Sequence, residues 1–204
     1  MNRNVSTLKR LRKEEREARR NLIIDAAIRL FARMPFSQVG VRDIATEAGL
    51  SPASIYRYFE NRDELFVEAL LREIKAIEES LVQSQDDITT LTIEKVAETF
   101  VQYLLDHDSF FQMMAHFMIN GGIREKSLER FNATERKLLD LVEQAFIRMG
   151  ATGNIRMITH AFFASLNGIL ITFHNYPGRN PEETRKHARR LAGIIADMFR
   201  KGTA

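Results

Sequence analysis

The segment from Val41 to Phe59 constrains the fold of this chain more than any other stretch. Its first half places apolar residues on one face of a short helix, at Val41, Ile44, Ala45 and Ala48. Gly49 follows, where a chain that leaves a helix commonly takes the left-handed conformation that glycine adopts most easily. Ser51 is a favourable N-cap and Pro52 suits a first helical position, so a second helix is expected from Ser51 to Phe59.

Two short helices joined in this way predict a helix-turn-helix, whose second helix can enter the major groove of DNA. Ala45 is small enough to let the two helices approach closely, and Leu50 can occupy the angle between them. Ile55 and Phe59 are expected to face inward. The remaining surface of the second helix carries hydroxyls and an arginine but no acid, as expected where it faces phosphates. The alternative is an ordinary helical hairpin inside a larger bundle.

Candidate DNA contacts follow from the side chains that this motif leaves on its surface. Arg42 is predicted to reach a base edge and would suit guanine, while Ala53 is small enough to approach a thymine methyl. Arg62 is predicted to clamp a phosphate at the N-terminus of the following helix. The predicted DNA-binding set consists of Arg42, Thr46, Ser51, Pro52, Ala53, Ser54, Tyr56, Arg57, Tyr58 and Arg62.

The chain resembles the tetracycline-repressor (TetR) family of bacterial regulators over about its first seventy residues. The resemblance rests on the stretches at 27–32, 41–45, 48–51, 55–59 and 61–65, and beyond them only the helical pattern matches. The family often has glycine, threonine and threonine where this chain has Pro35, Val39 and Gly40. Gly40 can still cap the first motif helix, but it offers no hydroxyl to a phosphate. The resemblance implies an effector pocket in the C-terminal domain and a fourth helix that carries the signal between domains.

The charge distribution agrees with a DNA-binding N-terminal domain. Residues 1–62 contain 13 Lys and Arg against 7 Asp and Glu, whereas residues 63–204 contain 17 against 20. The basic excess therefore lies with the helix-turn-helix, where a polyanion would bind. Residues 1–15 form a basic extension, which we interpret as a frayed continuation of the first helix. The alternative is an arm that contacts phosphates or a neighbouring minor groove.

Composition favours an all-α fold and excludes several kinds of site. Four prolines and ten glycines among 204 residues, with long stretches of helix formers, favour helices throughout. The absence of cysteine excludes disulfides and thiolate chemistry, and the five histidines form no His-x-x-x-His pair, so we expect no metal and no cofactor. No apolar run reaches membrane-spanning length and the N-terminus is polar, so a cytoplasmic location without membrane contact is expected.

About nine helices in two domains are expected: a three-helix DNA-binding domain at 1–62 and an effector-binding and dimerisation domain at 63–204. The first helix is predicted to bury Leu22, Ile23, Ala26, Ala27, Leu30 and Phe31 and to end near Met34. Asn61 and Glu64 resemble a capping box, Thr92 and Asp108 are expected N-caps, and the segment 83–91 is expected to be a loop. The later helices are predicted at 109–119, 124–149, 154–175 and from Asn180 onward.

Two aromatic-rich segments of the second domain suggest ligand sensing. One short helix is rich in phenylalanine and methionine, and the face that carries Phe163, Asn167, Leu170 and His174 is otherwise apolar. The predicted effector pocket consists of Phe100, Tyr103, Phe110, Met113, Met114, His116, Phe117, Phe131, Phe163, Asn167, Leu170 and His174. The alternatives are plain core for the apolar members and simple hydrogen-bonded side chains for the histidines.

The last two helices are predicted to form a homodimer, because Ala161, Ala164 and Gly168 would let a partner helix approach closely. The helix could instead be buried within the monomer. We therefore predict a ligand-responsive regulator, most simply a repressor, that binds a near-palindromic double-stranded operator and is released by a small apolar or amphipathic effector. The alternatives are a DNA-binding dimer without an effector and a helical enzyme with His116 or His174 as a base.

Overall fold

The computed structural model describes residues 2–35, 38–83, 91–120, 124–174, 176–178 and 180–203. Within these ranges the chain is all-α, as predicted. Its nine helices are α1 (Asn2–Arg33), α2 (Val41–Glu47), α3 (Pro52–Ile55), α4 (Arg62–Gln83), α5 (Ile93–Asp106), α6 (Asp108–Asn120), α7 (Glu125–Arg148), α8 (Ile155–Phe173) and α9 (Pro181–Gly202). Most of the predicted loop at 83–91 and the glycine pair at 121–122 lie outside the described residues.

The chain divides into two compact units. Unit 1 comprises Met1–Leu70 and Gln112–Leu128, and unit 2 comprises Leu71–Phe111 and Glu129–Ala204. The units reflect how densely the backbone packs and do not define functions. The predicted boundary between functional domains at residue 62 stays a prediction.

The core of unit 1 lies beneath α1, where the side chains of Ile23, Ala26, Ala27 and Phe31 are buried as predicted. The Phe31 ring packs edge-on against Phe66 of α4, with ring centroids 4.9 Å apart. The prediction that Leu22 faces inward is wrong, because its side chain is 44% exposed while that of Ile24 is 1% exposed. The helix is rotated so that the stripe through Ile24 is buried in the core, and helical spacing then turns Leu22 outward.

The turn between α2 and α3 has the predicted chemistry. Gly49 has φ +66°, in the left-handed region that favours glycine. Ser51 Oγ accepts the Ser54 N–H at 3.2 Å and Pro52 is the first residue of α3. The predicted helix to Phe59 is too long, because α3 ends at Ile55. The residues after Ile55 form a turn in which the Tyr58 N–H donates to the Ile55 carbonyl, three residues earlier, as in a 3₁₀-helix.

The start of α4 departs from the predicted capping box by one residue. Asn61 Oδ1 accepts the Glu64 N–H at 2.9 Å, as predicted, but the Glu64 carboxylate accepts the Glu60 N–H at 2.6 Å. The reciprocal bond therefore reaches one residue further back, to Glu60 instead of Asn61.

Unit 2 is built around α5, α8 and α9. Thr92, Asn154 and Asn180 cap these helices as predicted, each accepting the N–H three residues on. Asp108 was expected to cap α6, but it is the first helical residue instead. The α5 C-cap, His107, stands directly before it, and its carbonyl accepts the Phe110 and Phe111 N–H groups, so α6 begins as soon as α5 ends.

Aromatic packing joins α7, α8 and α9 within unit 2. The Phe162 ring lies 5.4 Å from Phe146 and 5.2 Å from Phe199, both in edge-on arrangements. α8 also meets the length and hydropathy expected of a membrane-spanning helix, although 33% of that window is buried inside the protein. A core helix of a globular protein meets the same criteria, and α8 packs on α5 and α9.

Candidate nucleic-acid interface

α2 presents Arg42 and Thr46 on an exposed surface. The Gly40 N–H donates to Asp43 Oδ2 at 2.8 Å, which places Gly40 at the N-cap as predicted. The Thr46 hydroxyl donates to the Arg42 carbonyl at 3.0 Å, so its oxygen lone pairs stay open while its proton is used. Arg42 thus projects from the first turn of a capped helix, where its guanidinium has room to turn toward a base edge.

α3 and the turn after it present most of the remaining predicted DNA contacts. Ser51, Pro52, Ala53, Tyr56 and Arg57 are exposed, whereas Ser54 and Tyr58 are half-buried. The two serine hydroxyls lie 2.9 Å apart. Tyr56 is 59% exposed, a large fraction for an aromatic side chain, and its hydroxyl is available to an external acceptor.

Buried residues hold this exposed surface in place. Ile44 and Ala45 of α2 and Ile55 of α3 are at most 1% exposed, and Phe59 is 2% exposed. Arg29 of α1 donates to Glu47 at 2.6 Å, and this hydrogen bond is the main reason that the pKa of the Glu47 carboxyl is lowered. The motif is therefore tied to α1 by both an apolar core and a surface ion pair.

Arg62 has a structural contact that the sequence did not predict. Its Nη1 donates to the Val39 carbonyl at 3.1 Å, and its Nε lies 3.9 Å from Asp63. The half-buried guanidinium therefore holds the segment that leads into α2. Asp63 also pairs with Arg124, at 3.4 Å. Long-range side-chain-to-carbonyl bonds of this kind leave no local sequence signal, and the predicted phosphate contact of Arg62 stays a prediction.

The predicted effector residues fall in both units and are described unit by unit. In unit 2, Phe100 of α5 and Phe163 of α8 pack edge-on at 5.1 Å, and Leu170 and Phe131 are buried. Asn167 is half-buried, but its Oδ1 is inaccessible and has no hydrogen-bond partner. An unpaired buried carbonyl oxygen is costly, so Asn167 is a position at which a ligand donor would be stabilised.

Two polar residues of the predicted pocket, Tyr103 and His174, already have protein partners. The Tyr103 hydroxyl donates to Glu73 at 2.9 Å and its ring stacks on His107 at 3.8 Å. Burial, with the charge of Glu73, raises the pKa of Tyr103 well above its usual range. His174 Nε2 lies 2.7 Å from Asp108, against the ring of Phe111 at 4.7 Å.

Two open clefts of about 540 Å³ each lie at the surface of unit 2. Tyr103 lines one of them, beside Lys95 and Glu98, and His174 lines the other, beside Arg185. Phe110 is buried, with its ring 6.2 Å from that of Tyr103. The other predicted pocket residues of unit 2 line neither cleft.

The remaining predicted pocket residues lie in unit 1. Met113 is fully buried, Met114 is 8% exposed and Phe117 is half-buried, with its ring 6.0 Å from Phe66. The His116 side chain lies outside what the structure describes. Among the described side chains no three His, Asp or Glu residues are grouped as metal ligands would be.

Comparison with known proteins places this motif in a class. Residues 23–69 match the model for bacterial regulatory proteins of the tetR family. An uncharacterized HTH-type transcriptional regulator from Haemophilus influenzae is 26% identical over 111 residues, which are 51% of this chain. The chain spans about half of that relative, since the matched part is 52% of its length.

Solved structures share the fold over most of the chain. A transcriptional regulator from Rhodococcus superposes with a TM-score of 0.75 at 16% identity, covering 90% of this chain and 97% of its own. The TetR-family regulator PfmR from Thermus thermophilus gives a TM-score of 0.65 at 18% identity, covering 88% and 97%.

The family match and the exposed helix-turn-helix identify the DNA-binding element of a transcriptional regulator. The matched segment contains α2, the turn and α3, so residues 23–69 form a helix-turn-helix segment of the tetR type.

Proposed function

We propose that this chain is a homodimeric, ligand-responsive repressor that binds a near-palindromic operator. The observation that supports the proposal most directly is the contrast within the motif. Ile44, Ala45 and Ile55 are buried and hold the two helices together, while Arg42 and Ala53 stand exposed on the outer side. Sequence-specific recognition requires a polar surface with few acids that is held on a rigid support. We call the exposed residues of α2 and α3 the reading surface.

In this proposal Arg42 reads a guanine edge, and Pro52, Ala53 and Ser54 contact bases in the same groove. Thr46, Tyr56 and Tyr58 position the domain on phosphates. Arg62 adds a phosphate contact at the N-terminus of α4. Two such reading surfaces about 34 Å apart would match successive turns of the duplex.

The proposed dimer forms through an apolar surface on α8 and α9, which we call the α8–α9 face. Ala161, Ala164 and Ile171 of α8 are exposed, as are Ile194 and Met198 of α9. A Cβ added at Gly168 would meet no atom within 4 Å, so space for a close helix approach exists there. A second copy of the chain would bury these side chains symmetrically.

The proposed effector is a small apolar or amphipathic compound that binds among the aromatic side chains of unit 2. Phe100, Phe131 and Phe163 would supply its apolar contacts, and the unpaired Asn167 Oδ1 would accept a hydrogen bond from its polar end. Because α4 is continuous from Arg62 to Gln83, a shift of α4 on binding would change the separation of the two reading surfaces. Release then requires weaker effector affinity in the DNA-competent state.

The test is a selection of DNA sequences by the purified protein at two salt concentrations, followed by measurement of the mass of the complex. We expect one enriched inverted repeat bound by one dimer. Binding that depends steeply on salt and enriches no sequence would refute operator recognition. In a second step, compounds that raise the unfolding temperature are tested for release of that operator. Stabilising compounds that leave DNA affinity unchanged would favour the alternative, a DNA-binding dimer without an effector. Because the proposed operator lies in cellular DNA, the proposed function places this regulator in the cytoplasm.

A further inference from the structure

α1 is far longer than its domain requires. It begins at Asn2, but Ile23 is the first buried side chain that the structure describes in it. The described side chains from Thr7 to Arg19 are all exposed. At 1.5 Å per residue, the part before Arg20 projects about 27 Å beyond the packed domain. We call this part, Asn2–Arg19, the arm.

One face of the arm is basic. Lys9, Lys13 and Arg16 are spaced four and three residues apart, and Arg20 continues the same line, so together they form one stripe on the helix. We call Lys9, Lys13 and Arg16 the basic stripe. Among the described side chains no carboxylate is paired with them, in contrast to Arg10 and Arg19, which pair with Glu14 and Glu15.

The basic stripe continues the face of α1 that is buried in unit 1. Continuing the same spacing from Arg20 leads to Ile24, Ala27 and Phe31, which are buried in the core of unit 1. The same face of α1 is therefore apolar where it is buried in unit 1 and basic along the arm. Of the four arm cations without an ion pair among the described side chains, all but Arg12 lie on this face.

Two contacts within unit 1 locate α1 and the base of the arm relative to the helix-turn-helix. Arg29 pairs with Glu47 before the turn, and Arg20 lies over the ring of Phe59 after α3, at 5.1 Å. The base of the arm therefore lies beside Phe59, at the end of the helix-turn-helix segment.

We propose that the basic stripe binds the phosphate backbone of the DNA just outside each operator half-site. The proposal rests on the proposed function, because it requires α3 to hold a duplex. From Arg20 to Lys9 is about 16 Å along the helix, roughly half a turn of DNA. The contact would add sequence-independent affinity and dependence on the length of the flanking DNA.

The experiment compares the selected operator as a duplex trimmed to the inverted repeat with the same operator carrying random flanks of about ten base pairs. The wild-type protein should bind the flanked duplex about tenfold more tightly at low salt. The variant K9Q/K13Q/R16Q should lose this difference and keep its affinity for the trimmed duplex. Its salt slope on the flanked duplex should be shallower by up to about 5, for three lost phosphate contacts per subunit.

A matched control is R10Q/R12Q/R19Q, which removes the same charge from positions outside the basic stripe. We expect it to retain most of the preference for flanked DNA. Equal losses in the two variants, or no flank preference in the wild-type protein, would overturn the proposal while operator binding stands. Failure of the wild-type protein to enrich any operator would instead refute the proposed function. Circular dichroism of both variants verifies that the arm remains helical.

Discussion

The guanidinium carbon of Arg20 lies 5.1 Å from the centre of the Phe59 ring, while its Nη2 is paired with Glu68 of α4. The Arg20 side chain of α1 thus contacts both the end of the helix-turn-helix segment and α4. The Glu68 side chain is only 10% exposed, so its charge depends on partners inside the protein.

Replacing Arg20 by Ala should therefore lower the free energy of unfolding by about 2–3 kcal/mol, at the low end for a buried ion pair because Arg20 is partly exposed. Urea denaturation measures this. R20A/E68Q should recover part of the loss, since the buried carboxylate is removed as well. Equal stability of R20A and the double variant would contradict this account of the pair.

Gly49 tests the backbone of the turn. Its φ of +66° is unfavourable for any residue with a Cβ, yet an added Cβ would meet no atom within 4 Å. We expect Gly49→Ala to cost about 1–2 kcal/mol through conformational strain alone. The matched control is Gly193→Ala within α9, where a Cβ also meets nothing and φ is not positive, which should raise stability by about 0.5–1 kcal/mol. A neutral Gly49→Ala would exclude strain at the turn.

Arg42 tests the reading of DNA sequence. Arg42→Ala should weaken operator binding by about 1–3 kcal/mol and relax the preference at one position in each half-site. Repeating the sequence selection with the variant measures both effects. A variant with unchanged affinity and unchanged preference would remove Arg42 from the recognition surface.

Arg62→Ala provides the contrast, since we expect it to weaken binding to all sequences alike and to make the salt slope shallower. It should also lower stability by about 1–2 kcal/mol, because the Val39 carbonyl loses its donor. A stable variant with the wild-type salt slope would count against both contacts.

The α8–α9 face tests dimerisation. Ile194→Glu should convert the protein to a monomer in sedimentation experiments and lower its affinity for the full operator, because Ile194 is 54% exposed on the proposed interface. Ile147→Glu is the control, since Ile147 is similarly exposed, at 50%, but belongs to α7 and not to that face. If both variants remain dimeric, the interface lies elsewhere.

Glu135 of α7 predicts a dependence of stability on pH. Burial raises the pKa of its carboxyl, with the charge of His160 opposing the effect. A raised pKa in the folded protein means that stability falls as pH rises through that value. Glu135→Gln should therefore be more stable than wild type near neutral pH, and the difference should vanish where the wild-type carboxyl is protonated.

Thermal denaturation between about pH 4 and pH 8 measures this difference. Glu129→Gln, an exposed position on the same helix, serves as the control and should show no such trend. A difference for Glu135→Gln that is constant with pH would point to packing rather than titration.

The sequence by itself determined the features that depend on neighbours a few residues apart. The Gly49 turn, the caps at Ser51, Thr92, Asn154 and Asn180 and the order of the helices follow from local backbone preferences and helical spacing. These same features carried the family resemblance in the first seventy residues, and the match to residues 23–69 confirms it.

The tertiary structure alone decided how the helices turn and what their polar side chains meet. The outward position of Leu22, the end of α3 at Ile55 and the bond from Arg62 to Val39 each depend on residues distant in sequence. Helical spacing defines a stripe but not which neighbouring helix covers it, and a long arginine can reach any carbonyl within several ångströms. For that reason the helix-turn-helix could be predicted from the sequence. The long-range contacts that hold it in place are defined only by the packing of the helices.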